Sequence, residues 1–339
     1  TMHGAPLWAR TATVAAGPIF NFILSFIVFA AVLMARGIAT DPLTIDTLTP
    51  LPVEQQTLRQ GDQILAIAGE PTPTVEEFEA FVRELPAAET LDYTVRRDGG
   101  EITIAAPHPF PPLVGGITPG SAAMDVDLRE GDVILSVDGA PIATFGELRD
   151  LVGVSEGKPL LLDVWRGGET FEAALVPRRT DLPLADGGFE TRYLIGITGG
   201  LFFEPRTEAP GLWQAAQYGV SQTIFIVQSS LSGLYHMAKG AISSCNLRGP
   251  IGIAETSGAA ASQGWLSFVW FIAVLSTAVG LLNLFPIPVL DGGHLVFFGY
   301  EAVFRRPPSD LALRIMMAAG LALILTFMLF ALSNDLFCP

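Results

Sequence analysis

Hydrophobic positions along this chain fall into two regimes. Near both ends they run almost unbroken. Thr11 to Ala35 contains no charge, Trp265 to Leu282 is the apolar centre of a stretch from Thr256 to Leu290, and Ile315 to Asn334 forms a third run. About 20 residues of helix cross a bilayer, so each run predicts a transmembrane helix. The first is too long for a signal peptide, has only Arg10 before it and no small-residue cleavage site after it, and so reads as a retained span. A fourth uncharged stretch, Ala209 to Ala238, differs in kind. Gln214, Gln217, Ser221, Gln228 and Ser232 recur at helical spacing opposite Trp213, Val220, Ile224, Val227 and Leu231. That pattern predicts an amphipathic helix on the membrane surface or against other helices, not a lone span.

Between the ends the apolar residues alternate or come in short bursts, and one pattern occurs twice. Residues 59–69 read RQGDQILAIAG and residues 129–139 read REGDVILSVDG. The match extends from Pro71 to Pro141, Thr74 to Thr144 and Phe78 to Leu148. Each copy predicts a Gly-Asp turn, an apolar strand, a helix (Thr74 to Glu84; Thr144 to Val152) and a hairpin whose turn follows an arginine. The expected organisation is a transmembrane helix at 1–36, two tandem domains at 37–108 and 109–180, and a linker with an amphipathic helix at 181–248. A membrane segment at 249–304 and a C-terminal transmembrane helix at 305–339 complete it.

Composition sharpens this division. Half of the 339 residues are hydrophobic and only 16% are charged, against about a quarter in soluble domains, yet the net charge is −15. Residues 37–210 carry 29 acids and 12 bases, and the rest of the chain is slightly basic. An acidic soluble block between lipid-embedded ends accounts for both numbers. With no basic stripe to neutralise phosphates, a nucleic-acid partner is excluded. The two cysteines, Cys245 and Cys338, rule out a disulfide scaffold, and nothing in the sequence suggests that they pair. Arg10 before the first span and Arg305, Arg306 and Arg314 around the last connection favour placing those sides in the cytoplasm, with the acidic block outside. Arg36, Lys239 and Arg248 oppose this mildly.

Val114 to Gly139, VGGITPGSAAMDVDLREGDVILSVDG, resembles the PDZ domains of bacterial envelope proteases. The resemblance implies a mostly β domain that receives an extended peptide by strand addition. It implies that Gly115, Gly116 and Ile117 form the peptide-binding loop of the second copy, since glycine lets backbone approach a ligand. The first copy has no glycine before its Gly61-Asp62 turn and is a weaker candidate. A reading of both copies as spacers or steric filters stays open.

The chemistry concentrates at Asn283 to Phe304, NLFPIPVLDGGHLVFFGYEAVF. Pro286 and Pro288 each remove a backbone donor at the end of a span, and in lipid the freed carbonyls need protein or cavity water. Asp291 adds a carboxylate that costs roughly 2.5 to 3.5 kcal/mol at a helix centre. Together they suggest a polar intramembrane site. The plainer alternative is that Asp291 caps a helix starting at Gly292, with His294 as an interfacial polar tip.

The string Asn-x-x-Pro-x-Pro-x-Leu-Asp-Gly-Gly-His resembles the C-terminal signature of the site-2 protease family, intramembrane zinc metalloproteases, and most of all the bacterial regulator-of-sigma-E type. Ala16-Gly17-Pro18-Ile19-Phe20-Asn21-Phe22 and Gly249-Pro250-Ile251-Gly252-Ile253-Ala254 resemble it too, as does the PDZ pair between two spans. The resemblance implies an α-helical transmembrane core with two inserted PDZ-like domains, multi-pass in the bacterial inner membrane with those domains periplasmic. It implies regulated cleavage of a single-pass membrane substrate such as an anti-sigma factor, with the PDZ domains gating access. It implies Zn2+ as cofactor, Asp291 as a metal ligand, and Asn283, Pro286 and Pro288 beside the substrate. The family's remaining ligands and general base come as His-Glu-x-x-His on an earlier helix. That motif is absent here: His3, His108, His236 and His294 have no such spacing. The expectation is therefore a protease given without its first helix, too short of ligands to hold zinc or act alone. The alternative is a non-catalytic membrane PDZ scaffold that binds envelope peptides.

Overall fold

The computed structural model describes residues 5–53, 57–183 and 189–337, so His3 and Cys338 lie outside the described residues. The chain forms two compact units, one of residues 1–36 with 210–339, the other of residues 37–209. The first element, α1 (Leu7–Arg36), is a continuous 30-residue apolar helix with Pro18 inside it.

The 37–209 unit is built on the repeat. It begins with β1 (Ile38–Ala39) and β2 (Ile45–Leu48), then β3 (Gln63–Ile67), β4 (Glu70–Pro71), α2 (Val75–Glu84), β5 (Thr90–Arg97) and β6 (Gly100–Pro107). The second copy runs β7 (Val114–Ile117), α3 (Ala122–Asp125), β8 (Val133–Val137), β9 (Ala140–Pro141), α4 (Phe145–Val154), β10 (Leu160–Arg166) and β11 (Glu169–Leu175). Each copy makes a four-stranded antiparallel sheet of the same order, β4-β3-β5-β6 and β9-β8-β10-β11.

The repeated Gly-Asp turn has a common physical cause. Gly61 and Gly131 take φ of +88° and +92°, which only glycine adopts freely. The aspartate that follows is buried and accepts the Arg59 or Arg129 amide at 2.8 Å. Arg97, from the hairpin, closes on Asp62 at 2.7 and 2.6 Å, and Arg166 closes on Asp132 at 2.6 and 2.7 Å. Each buried carboxylate is thus paired with a guanidinium through two hydrogen bonds and bonded to backbone, which offsets the cost of its burial. Burial alone pushes the Asp62 pKa up, but the Arg97 and Arg59 hydrogen bonds outweigh it and hold the carboxyl below its ordinary value.

The unit does not end where the repeat does. Beyond β11 come β12 (Arg178–Pro183), β13 (Phe189–Leu194), β14 (Ile197–Gly199), β15 (Phe203–Pro205) and β16 (Thr207–Glu208). The expected linker from residue 181 is thus corrected: as far as Ala209 this stretch belongs to the β unit. β14 pairs with β7 in the second copy, whereas β15 pairs with β2 and β16 with β1 in the first. Phe202 and Phe203 are buried in the first core, beside Ile45, Ile67, Phe78 and Tyr93, with Leu113 and Val133 from the second copy. The expected division at residue 108 is corrected with it, because one core draws on both copies.

The remaining helices are α5 (Leu212–Ala238), α6 (Pro250–Ser262), α7 (Trp265–Asn283), α8 (Asp291–Phe304) and α9 (Asp310–Phe337), with a 3-10 turn at Ser244–Asn246. Among the described residues three helices, α1, α7 and α9, are long and apolar enough to cross a membrane. The amphipathic helix α5 packs on α1: a Cβ on Gly219 would lie 2.6 Å from the Phe26 carbonyl oxygen. Its polar residues Gln214, Gln217, Ser221 and Gln228 stay exposed, but so do Trp213, Val220, Ile224 and Leu231 of the expected apolar face, and the buried residues are Ala215 and Gly219. Cys245 is disulfide-bonded, a pairing to which nothing in the sequence pointed.

Candidate intramembrane site

Antiparallel close packing of α1 and α7 builds the floor of the site. The buried Ser25 hydroxyl donates toward the Ala273 carbonyl at 2.8 Å and stands 2.9 Å from its own helix's Asn21 carbonyl. Ser276 donates to the Asn21 carbonyl at 3.0 Å. A Cβ on Gly280 would meet Asn21 Cβ at 3.1 Å and the Pro18 carbonyl oxygen at 3.3 Å. Small residues and hydroxyls let two helices approach closely where lipid offers no competing hydrogen bonds.

α7 ends at Asn283, and the chain from Leu284 to Leu290 leaves helical geometry around the two prolines. Its turns are held by the Phe285 amide on the Leu282 carbonyl (3.0 Å), Ile287 on Phe285 (2.7 Å) and Leu290 on Ile287 (2.8 Å). Among the described residues the carbonyls of Leu284, Pro286 and Pro288 accept no hydrogen bond. This loop folds back over the first turn of α8, which explains the two glycines. A Cβ on Gly292 would lie 2.4 Å from the Phe285 carbonyl oxygen, and one on Gly293 would lie 2.5 Å from Pro288 Cα. Any side chain at either position would push the proline loop off the helix.

Asp291 is the first residue of α8, and Leu290 is the N-cap, with no side-chain cap hydrogen bond. The expectation of a capping Asp291 before a helix at Gly292 is thereby corrected. The half-buried carboxylate has no hydrogen-bond or ion-pair partner among the described residues, although the positive end of the helix dipole favours it. It points at α1, where a Cβ on Gly17 would stand 3.0 Å from Oδ2. The Ala16–Phe22 and Asn283–His294 motifs, far apart in the chain, therefore meet, with Gly17 opening the space in front of Asp291. Asn283, Pro286 and Pro288 stand on α7's end and the loop over α8. His294 places Nδ1 3.1 Å from the Leu290 carbonyl, a bond it makes as donor.

Among the described residues no group of three or more His, Cys, Asp or Glu side chains stands close enough to hold an ion.

The strand-edge expectation fares differently. Ile117 pairs with Ile197 and Gly116 with Thr198, so β7 already has a neighbour from the same chain. On its other side the Val114 amide donates to the Asp132 carbonyl at 2.8 Å. Gly115 is needed because a Cβ there would lie 2.9 Å from the Gly199 carbonyl oxygen, and one on Gly116 would lie 2.8 Å from Thr198 Oγ1. Along the expected peptide-binding loop at Gly115, Gly116 and Ile117, β14 takes one edge, and the two glycines admit it. The edge of β14 away from β7 has no strand partner among the described residues.

Two ion and hydrogen-bond contacts were not readable from spacing. Arg10, read above only as a topological charge, pairs with Glu301 of α8 at 2.6 Å and lies 5.3 Å from the Phe298 ring centre. Asp335, near the end of α9, bonds the start of α6. Their sequence separations of 291 and 84–86 leave no local signal.

The sequence profile described as Peptidase family M50 matches residues 1–327. A protein of Rhizobium meliloti described as a putative zinc metalloprotease is 32% identical over 340 residues, covering 99% of this chain and 72% of that one. The regulator of sigma E protease of Haemophilus influenzae is also 32% identical, over 359 residues, covering 96% of this chain and 78% of its own. Among solved structures, the PDZ domain of an SdrC-like protein from Listeria monocytogenes shares 24% identity over 26% of this chain and 84% of that domain. Its TM-score of 0.21 is too low to bear on the fold.

Proposed function

This chain belongs to peptidase family M50, and on that premise we propose that it is the membrane core of a zinc-dependent intramembrane protease, with Asp291 as a metal ligand. The observation that carries the reading is the unpartnered Asp291 carboxylate facing Gly17 beside a helix broken by two prolines. Zinc in such a site polarises a scissile carbonyl and activates water. The residues of this chain would do the holding. Asn283 and the carbonyls of Pro286 and Pro288, which accept no hydrogen bond among the described residues, would offer an unwound substrate segment the hydrogen bonds that lipid cannot supply. The half-buried first turn of α8 would keep the Asp291 carboxylate oriented.

The substrate class is a single-pass membrane protein such as an anti-sigma factor, by analogy with the sigma E protease relative. The site is in the bacterial inner membrane, and residues 37–209 act outside it as a pair of PDZ-like modules that restrict access. Peptide capture by the second module would use the edge of β14 that has no strand partner among the described residues, since β14 already takes one edge of β7.

The test is cleavage of a single-pass reporter by the product of the whole reading frame. Asp291→Asn should lower cleavage more than about a hundredfold and reduce bound zinc, as loss of a direct ligand does. Unchanged cleavage by D291N rejects the ligand role. A stop codon directly upstream, with no in-frame His-Glu-x-x-His, would instead support the non-catalytic scaffold.

A further inference from the structure

We propose that Asp335 is a positioning residue: its carboxylate latches the N-terminus of α6 and so fixes how α9 seats against the Pro286–Pro288 loop. Helix α6 begins with Gly249 as N-cap and Pro250 in its first turn, and Gly249 has no side chain to satisfy the exposed amides. Asp335 supplies that function from another helix. Oδ1 accepts the Gly249 amide at 2.7 Å and Oδ2 accepts the Ile251 amide at 3.0 Å. A carboxylate at a helix N-terminus gains from both hydrogen bonds and dipole.

The seat has no spare room. A Cβ on Gly249 would stand 2.6 Å from Asp335 Oδ2 and 2.8 Å from the Ala331 carbonyl oxygen, and one on Gly252 would stand 2.9 Å from Asp335 Oδ1. The preceding residue, Asn334, is buried and donates from Nδ2 to the Ser244 carbonyl at 2.7 Å. Two consecutive side chains thus hold the segment that enters α6.

The same helix touches the candidate site one strut-length away. A Cβ on Gly320 would lie 3.1 Å from Pro288 Cδ and 3.2 Å from Val289 Cγ2. From Gly320 to Asp335 α9 is unbroken, roughly 22 Å of helix at 1.5 Å per residue. A helix of that length moves as one body, so freeing its end frees the surface that backs the proline loop.

The experiment uses the full-length protein in phospholipid nanodiscs, with hydrogen exchange read over residues 249–252 and 284–293 and cleavage kinetics on the reporter. Only the kinetic arm rests on the protease reading. Asp335→Ala should raise exchange about tenfold or more in both segments and lower kcat about tenfold with KM within twofold, the size set by losing hydrogen bonds to a charged group. Asp335→Asn, which keeps one of the two acceptors and turns the other into a donor, should restore part of both. Gly252→Ala should reproduce the loss by displacing the carboxylate, and should add nothing in the Asp335→Ala background. G252A also carries the test if D335A does not survive purification. Faster exchange at 249–252 with 284–293 unchanged would overturn the proposal, as would a D335N variant as defective as D335A. If the wild-type protein cleaves nothing, the protease reading fails, and the exchange arms still decide the latch.

Discussion

His108 shows how one residue ties chemistry to stability in the β unit. It is buried in the connection between the two repeats, and its Nδ1 accepts the Phe110 amide at 3.1 Å, a bond only the unprotonated nitrogen can accept. Its Nε2 is buried with no hydrogen-bond partner. Burial holds its pKa below the ordinary histidine value, against the pull of the Glu147 carboxylate. Below about pH 6.5 the unfolded chain therefore binds a proton that the folded chain refuses. Stability from this group is fully present above pH 6.5 and is lost as pH falls toward the lower folded pKa, with a slope of up to about 1.4 kcal/mol per pH unit. Chemical denaturation of the 37–209 unit between pH 7.5 and 5.5 should show that slope, and His108→Leu should flatten it whatever its own stability. A slope retained in H108L would refute the assignment. None of this was legible in the sequence, where His108 is one histidine between prolines. Asp291 was legible through its motif, but its freedom from a capping bond was not, because helix starts are decided by how the loop folds.

At the scale of elements, the spans and the repeat could be read in advance for different reasons. A span is a run of apolar residues and needs no partner to be recognised, which is why Thr11 to Ala35 lies inside α1. The repeat showed itself because each Gly-Asp turn answers the same local demand for positive φ and a buried acceptor. Which edges stay open depends on strands that arrive from far along the chain. β14 meets β7 across some 80 residues, so glycines that looked exposed to a ligand are packed against their own backbone. The paired arginines lie between these cases, since their spacing hints at a hairpin but not at a buried partner. Arg166→Ala should strand the Asp132 carboxylate, which is only 1% exposed, and destabilise the unit by about 2 to 3 kcal/mol, somewhat below a fully buried pair because Arg166 is a third exposed. Adding Asp132→Asn should recover part of that loss, since it removes the unpaired charge. A double mutant as unstable as the sum of the single changes would show that the pair is not what holds the turn.

For the whole molecule, the acidic block is a closed body inserted between apolar helices, and the closure is topological. β1 pairs with β16 and β2 with β15, so residues 38–48 meet residues 203–208 and the two ends of the insertion emerge together. A Cβ on Gly37 would lie 2.8 Å from the Thr207 side chain, which marks how tightly the ends are held. Such an arrangement lets a soluble unit of this size enter a membrane protein without separating the helices before and after it, as inserted domains with adjacent termini generally do. It also changes what counts as a domain here. Ile45 and Tyr93 share a core with Phe202 and Phe203, and Ile195 completes the second core beside Leu148 and Leu162. Neither repeat owns all of its interior. Residues 37–209 should therefore fold alone and unfold in one cooperative transition, measured by calorimetry as equal calorimetric and van't Hoff enthalpies. Residues 37–180, which contain both repeats but neither Phe202, Phe203 nor β14, should fail to reach that state and should bind a hydrophobic dye. Should 37–180 instead melt cooperatively, the late strands would be covers on two independent modules, and the closure argued here would be a consequence of folding, not a condition for it.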